Sequence, residues 1–71
     1  MIERTYILAY DIPTNERYFK KRINLLLKRI GARMIQRSLW ASDDLEELIR
    51  IASLIKEIGG KARVLEEKFV F

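Results

Sequence analysis

Apolar and polar positions along the chain change their period several times, and each change marks an element. Residues 5–10, "TYILAY", are short, β-branched and aromatic, which predicts a strand. Pro13 stops it and biases Ile12 to an extended conformation. Thr14 offers a hydroxyl that can cap a following helix. From Asn15 to Ile30 the apolar residues fall at Phe19, Ile23, Leu26, Leu27 and Ile30, one face of a helix. Lys28 and Arg29 suit the dipole of its last turn, and Gly31 is a plausible stop. Residues 32–41, "ARMIQRSLWA", alternate instead. Met34, Gln36, Ser38 and Trp40 fall on one side, Ile35, Arg37, Leu39 and Ala41 on the other. The segment reads either as one long strand or as two strands joined by a tight bend, and no glycine or proline marks the bend. "SDDLEE" opens a second helix, where Asp43 with Glu46 fits a capping box. Leu45, Leu48, Ile49, Ala52, Ile55 and Ile58 form its apolar stripe, and Gly59-Gly60 ends it. "KARVLEEKFVF" closes the chain as a strand with a break near Glu66 and Glu67.

With two strands in the middle, the order is βαββαβ. That predicts one α+β domain over residues 1–71, ferredoxin-like, with an antiparallel four-stranded sheet and two helices on one face. The first strand is nevertheless apolar on both faces: Tyr6, Leu8 and Tyr10 on one, Ile7 and Ala9 on the other. The uncovered face therefore needs a partner, and a second copy packed sheet to sheet is the simplest one. A chain this short buries only about 60% of the surface its unfolded form exposes. The sequence holds no cysteine and no histidine. Disulfides and cysteine–histidine zinc sites are excluded, which leaves oligomerisation as the common aid to stability. No apolar run reaches the ~20 residues of a membrane span. Glu3 and Arg4 interrupt any secretory leader. A cytoplasmic protein with no membrane partner is expected.

Charge divides the chain unevenly. Residues 1–40 hold nine Lys/Arg against three Asp/Glu, and residues 41–71 hold five against seven. Around the first helix, Arg17, Lys20, Lys21 and Lys28 lie opposite the apolar face, with Arg22 and Arg29 at its flanks. Such a stripe, with Arg33 and Arg37 beyond it, can follow a phosphate backbone; the alternative is a solvated surface. Tyr6, Tyr10, Tyr18 and Trp40 could stack on bases, although all but Tyr18 sit on strands where packing also uses them. Asp11 ends the first strand at the mouth of this charge. It can bond turn amides, complement a helix dipole, or hold a metal. One carboxylate is a poor magnesium site, and two brought together by a dimer axis make a better one. Without histidine, phosphodiester hydrolysis requires a metal-activated water. The acids of "SDDLEE" are explained by capping and dipole.

"YILAYDIPTNERYFKKRINLLLKRIGARMIQRSLWAS" resembles the CRISPR-associated Cas-two family, the small subunit of the spacer-acquisition machinery. The resemblance rests on a first strand ending in Tyr10-Asp11, a basic helix ending at Gly31, and "QRSLW" where the family usually reads Gln-x-Ser-Val-Phe. Trp40 thus stands in place of the phenylalanine, and Ala41-Ser42 in place of the usual glycine and acid. The resemblance implies two middle strands and a ferredoxin-like homodimer whose sheets face each other, with Tyr6, Leu8, Ser38 and Trp40 at the interface. It implies that Asp11 is the catalytic residue and binds magnesium or another divalent cation. It further implies RNA or double-stranded DNA as partner, and the charge and aromatic pattern of this chain assigns the contacts to Tyr10, Arg17, Lys20, Lys21, Arg33 and Arg37. The CRISPR integrase subunit is an additional possible partner, although the family's longer C-terminal segment is not matched here. The family is linked both to metal-dependent endonuclease activity and to a non-catalytic grip on duplex DNA. A related family of toxin-like ribonucleases shares the fold and a Gln-x-Ser segment.

Overall fold

The computed structural model describes residues 4–68. Its elements are β1 (Tyr6–Asp11), α1 (Arg17–Arg29), β2 (Arg33–Gln36), β3 (Leu39–Ser42), α2 (Leu45–Glu57) and β4 (Lys61–Glu66). The four strands form one sheet in the order β2-β3-β1-β4, with every neighbouring pair antiparallel. This is the ferredoxin-like βαββαβ arrangement that the hydrophobic pattern predicts. The end of the last segment, residues 69–71, lies outside the described residues.

The even-numbered positions of β1 face the helices. Leu8 is fully buried between its cross-strand partners Trp40 and Val64. Ile23 and Leu27 from α1, and Leu48, Ile51, Ala52 and Ile55 from α2, close over them. Each fully buried aliphatic side chain stabilises the fold by about 1.5–3 kcal/mol. On the other face, Ile7 and Ala9 of β1 stay partly exposed beside Leu39 and the largely exposed Leu65. Ala41 is buried there because it is small and lies between its cross-strand neighbours Ile7 and Arg33.

This division corrects the expected interface. Tyr6, Leu8 and Trp40 belong to the helix-covered face. Leu8 and Trp40 are core residues, and Tyr6 packs against that core. The open face presents Ile7, Ala9, Leu39 and Leu65 instead. Both faces of β1 are apolar in sequence, so the pattern left open which one the helices would take.

The bend in the middle segment is a two-residue turn, Arg37-Ser38, with Gln36 opposite Leu39. Ser38 has φ 64°, the left-handed conformation that glycine adopts most readily. A bulge between Met34 and Gln36 interrupts the alternation at Ile35.

Helix starts also shift. α1 begins at Arg17 rather than near Asn15, because a turn precedes it in which the Glu16 N–H donates to the Pro13 carbonyl at 2.9 Å. Thr14 lies in that turn and is not the cap. At α2 the cap is Asp44, one residue beyond Asp43. Its carboxylate accepts from the Glu47 N–H at 3.2 Å, while the Ser42 hydroxyl accepts from the Asp44 N–H at 3.0 Å. The buried stripe also differs from the expected one, because packing on the sheet takes Ile51 and leaves Ile49 half exposed. Gly31 and Gly59 follow the two helices with φ of 80° and 87°, the glycine stops expected of the sequence. Gly60 is different. A Cβ there would meet the Ile55 Cγ2 at 2.7 Å and the Asp11 carbonyl oxygen at 2.8 Å.

Candidate nucleic-acid interface

The helix layer stops short of β2. Met34 shares the covered face with its partner Trp40, yet it is 61% exposed while Trp40 is 3% exposed. The gap is a groove between α1 and the β2–β3 turn, lined by Tyr10, Lys20, Asn24, Met34, Arg37 and Ser38. It holds two cationic side chains and no carboxylate. Backbone pairing brings the turn to β1, since the Tyr10 N–H donates to the Ser38 carbonyl at 3.1 Å. The Tyr10 hydroxyl donates to Asn24 Oδ1 at 2.9 Å, which ties β1 to α1, and the Asn24 amide nitrogen donates to nothing among the described residues.

Burial raises the Tyr10 phenol above its ordinary value, and the neighbouring Trp40 and Ser38 side chains offset part of that rise. The Trp40 indole nitrogen is buried and completes no hydrogen bond. It lies close enough to the phenol to act on it as a weak donor, short of a hydrogen bond of full geometry. A buried donor without a partner costs about 1–3 kcal/mol.

The outer face of α1 continues the positive charge. Arg17, Tyr18, Lys20, Lys21 and Asn24 line a second, shallower depression. The first turn of α1 carries no acid, and no side chain caps it. Its amide dipoles and Arg17 therefore reinforce one another. Tyr18 is 83% exposed, whereas Tyr10 is 8% exposed with its ring in the core. Stacking on a base is consequently open to Tyr18 and closed to Tyr10, whose place in the groove is beside Asn24. Arg33 is set apart from the groove. It lines a different depression with Arg4, Gly31 and Asp43.

Asp11 lies on the open face of the sheet, directly opposite Lys61 and diagonal to Arg63. Its carboxylate is exposed and makes no hydrogen bond or ion pair among the described residues. It is neither a helix cap nor a salt-bridge partner there. Among the described residues no group of three or more carboxylate, histidine or cysteine side chains is gathered for a metal. The structure thus brings Lys20 and Arg37 together, sets Arg17 and Lys21 beside them, and leaves Asp11 on the opposite face at the same end of the sheet. Asn24 and Ser38 join the groove without having been read as ligand contacts. Asn24 follows Lys20 by four residues, one helical turn, and that spacing is the signal that could have found it.

Fold and groove together define a small ferredoxin-like α+β domain with a basic helix-side surface. No family model matches the chain, and no curated protein or solved structure matches it either. No helix among the described residues is long and apolar enough to cross a membrane.

Proposed function

We propose that the protein binds nucleic acid through the α1 surface and the adjoining groove, and that it serves CRISPR spacer acquisition as a homodimer of the Cas-two kind. The observation that carries the binding reading is the run of Arg17, Lys20, Lys21 and Arg37 along two connected depressions that no acid lines. Cations so placed grip phosphates with little regard to sequence. In this reading the open face of Ile7, Ala9, Leu39 and Leu65 packs against a second copy. RNA or double-stranded DNA is the partner, and the protein works in the cytoplasm.

A second reading adds catalysis, and the free Asp11 carboxylate favours it. Asp11 is an oxygen donor of the kind magnesium takes, but Lys61 opposite it opposes a cation. A partner copy would bring a second Asp11 together with a second Lys61, so pairing adds an oxygen donor without changing the charge balance, and the site fits magnesium only where both carboxylates converge on one ion and both ammonium groups turn away. The ion would supply an activated water for phosphodiester cleavage. The separation of Asp11 from the α1 cations, face against face, favours the non-catalytic grip as the primary role.

One set of proteins tests both. Affinity for duplexes should fall steeply between about 50 and 200 mM salt, and Lys20→Glu with Lys21→Glu should weaken binding across all sequences. Unchanged affinity would reduce the stripe to a solvated surface. Asp11→Asn should leave binding intact. If the wild type cleaves in magnesium, Asp11→Asn should lower that rate by about 10²-fold or more. A wild type that binds and never cleaves leaves the grip alone.

A further inference from the structure

The groove between α1 and the β2–β3 turn is chemically more particular than the stripe around it. Lys20 and Arg37 line it from opposite walls, one on the helix and one on the turn. Asn24 has its oxygen occupied by Tyr10, so it faces a ligand as a donor. Ser38 adds a hydroxyl. Behind this lining the indole N–H of Trp40, a residue only 3% exposed, completes no full hydrogen bond among the described residues and acts on the Tyr10 phenol. The acceptors whose role the structure fixes here, Asn24 Oδ1 and the Ser38 carbonyl, are already engaged by Tyr10, and the charge is double and positive.

Ser38 supplies an independent observation. The chain uses glycine at the other two described positions with positive φ, Gly31 and Gly59, and serine at Ser38 with φ 64°. Glycine takes that conformation at lower cost. Strain of this kind persists at sites where a side chain is needed. The side chain here is a hydroxyl that lines the groove with Lys20 and Arg37 and acts on the Tyr10 phenol.

We infer that this groove is a pocket for a phosphate monoester, the terminal phosphate of a nucleic-acid strand. A phosphodiester carries one negative charge. A terminal phosphate carries close to two near neutral pH, with three acceptor oxygens. Two cations and several neutral donors match the second better than the first. The Arg37 fork can hold two of the oxygens, while Lys20 acts as a point charge. The inference rests on the nucleic-acid reading for the source of the phosphate. A free mononucleotide offers the same chemistry.

The test compares one short oligonucleotide in three forms, with a 5′-phosphate, a 3′-phosphate or neither, alongside adenosine monophosphate and inorganic phosphate. Trp40 is the sole tryptophan, so its indole N–H resonance reports on this pocket. One phosphorylated form should bind on the order of tenfold tighter than the unphosphorylated strand and should shift the indole signal. The preference should shrink as pH falls below about 6, where the phosphate loses its second charge. Ser38→Gly should abolish the preference while leaving the unphosphorylated strand bound, and Arg37→Ala should abolish it while weakening all three forms. Ser38→Gly eases the backbone, so loss of folding does not imitate the result. Equal affinity for all three forms, with the indole unmoved, overturns the pocket and spares the nucleic-acid reading. Retention of the preference by Arg37→Ala overturns the pocket in the same way. An indole shift with mononucleotide or inorganic phosphate, and no strand bound, keeps a phosphate pocket and removes the nucleic-acid source. No response to any probe overturns both.

Discussion

The two helices are equal in length, thirteen residues each, and differ in nearly everything else. α2 opens on a side-chain cap, carries Glu46 and Glu47 in its first turn, and buries Leu48, Ile51, Ala52 and Ile55. α1 opens at Glu16, whose side chain makes no cap bond, carries no acid in its first turn, begins with Arg17, and buries only Ile23 and Leu27. Leu25 on its outer face is 65% exposed among cations. α2 is arranged for the fold. α1 gives up local stability at the end where it presents positive charge and uncapped amides. A helix that attracts anions by its own dipole cannot also fill its first turn with carboxylates. The difference between the helices thus separates the part of the molecule that holds the structure from the part that meets a ligand.

Three comparisons would break or sharpen that contrast. The largest effect falls on α2: Ile55→Ala removes a fully buried side chain and should cost about 2–5 kcal/mol in denaturant unfolding, against about 0.5 kcal/mol or less for Leu25→Ala on α1. Comparable losses at the two positions would erase the distinction. Next come the two helix starts. Asp44→Ala should cost about 1 kcal/mol. Glu16→Ala, where no side chain caps, should stay within about 0.5 kcal/mol. A Glu16 effect as large as that of Asp44 would mean α1 is capped after all.

The smallest effect is alkaline. The folded protein holds the Tyr10 phenol above its ordinary value of 10.0, chiefly by burying it. A raised value means the unfolded chain releases this proton first. Stability from the neutral phenol is therefore complete below pH 10.0 and declines as pH rises from there through the higher folded value. Melting curves of the wild type and Tyr10→Phe should differ in slope only in that alkaline window. Parallel curves would show that the phenol is as free in the fold as out of it.

The order of elements was legible because each carries its own period: four and three in the helices, two in the strands. The hairpin was not settled by the local residues, because its turn uses Arg37-Ser38 without glycine, and the bulge at Ile35 hides the change of strand. Caps were harder. Ser42, Asp43 and Asp44 all suit a helix start, and only the backbone decides that Asp44 takes it. The cations of α1 were legible as a stripe, yet the pairing of Lys20 with Arg37 depends on how the turn folds back beside β1. The interface residues failed on parity. A strand apolar on both faces does not say which face two helices will choose, and the choice moves every residue at once.

Gly60 has a consequence beyond packing. Its Cα lies where the end of α2 meets the end of β1, closed in by Ile55 and by the main chain of Asp11. Gly31 and Gly59 are restricted by torsion alone, with open space around them, so asparagine is a workable substitute there. At position 60 the restriction is spatial, and every side chain meets the same wall. Substitution would therefore displace the strand end that carries Asp11 without touching any ligand. In a survey of tolerated variants this glycine would carry the signature of an active-site residue, although its part is that of a spacer one hydrogen atom wide.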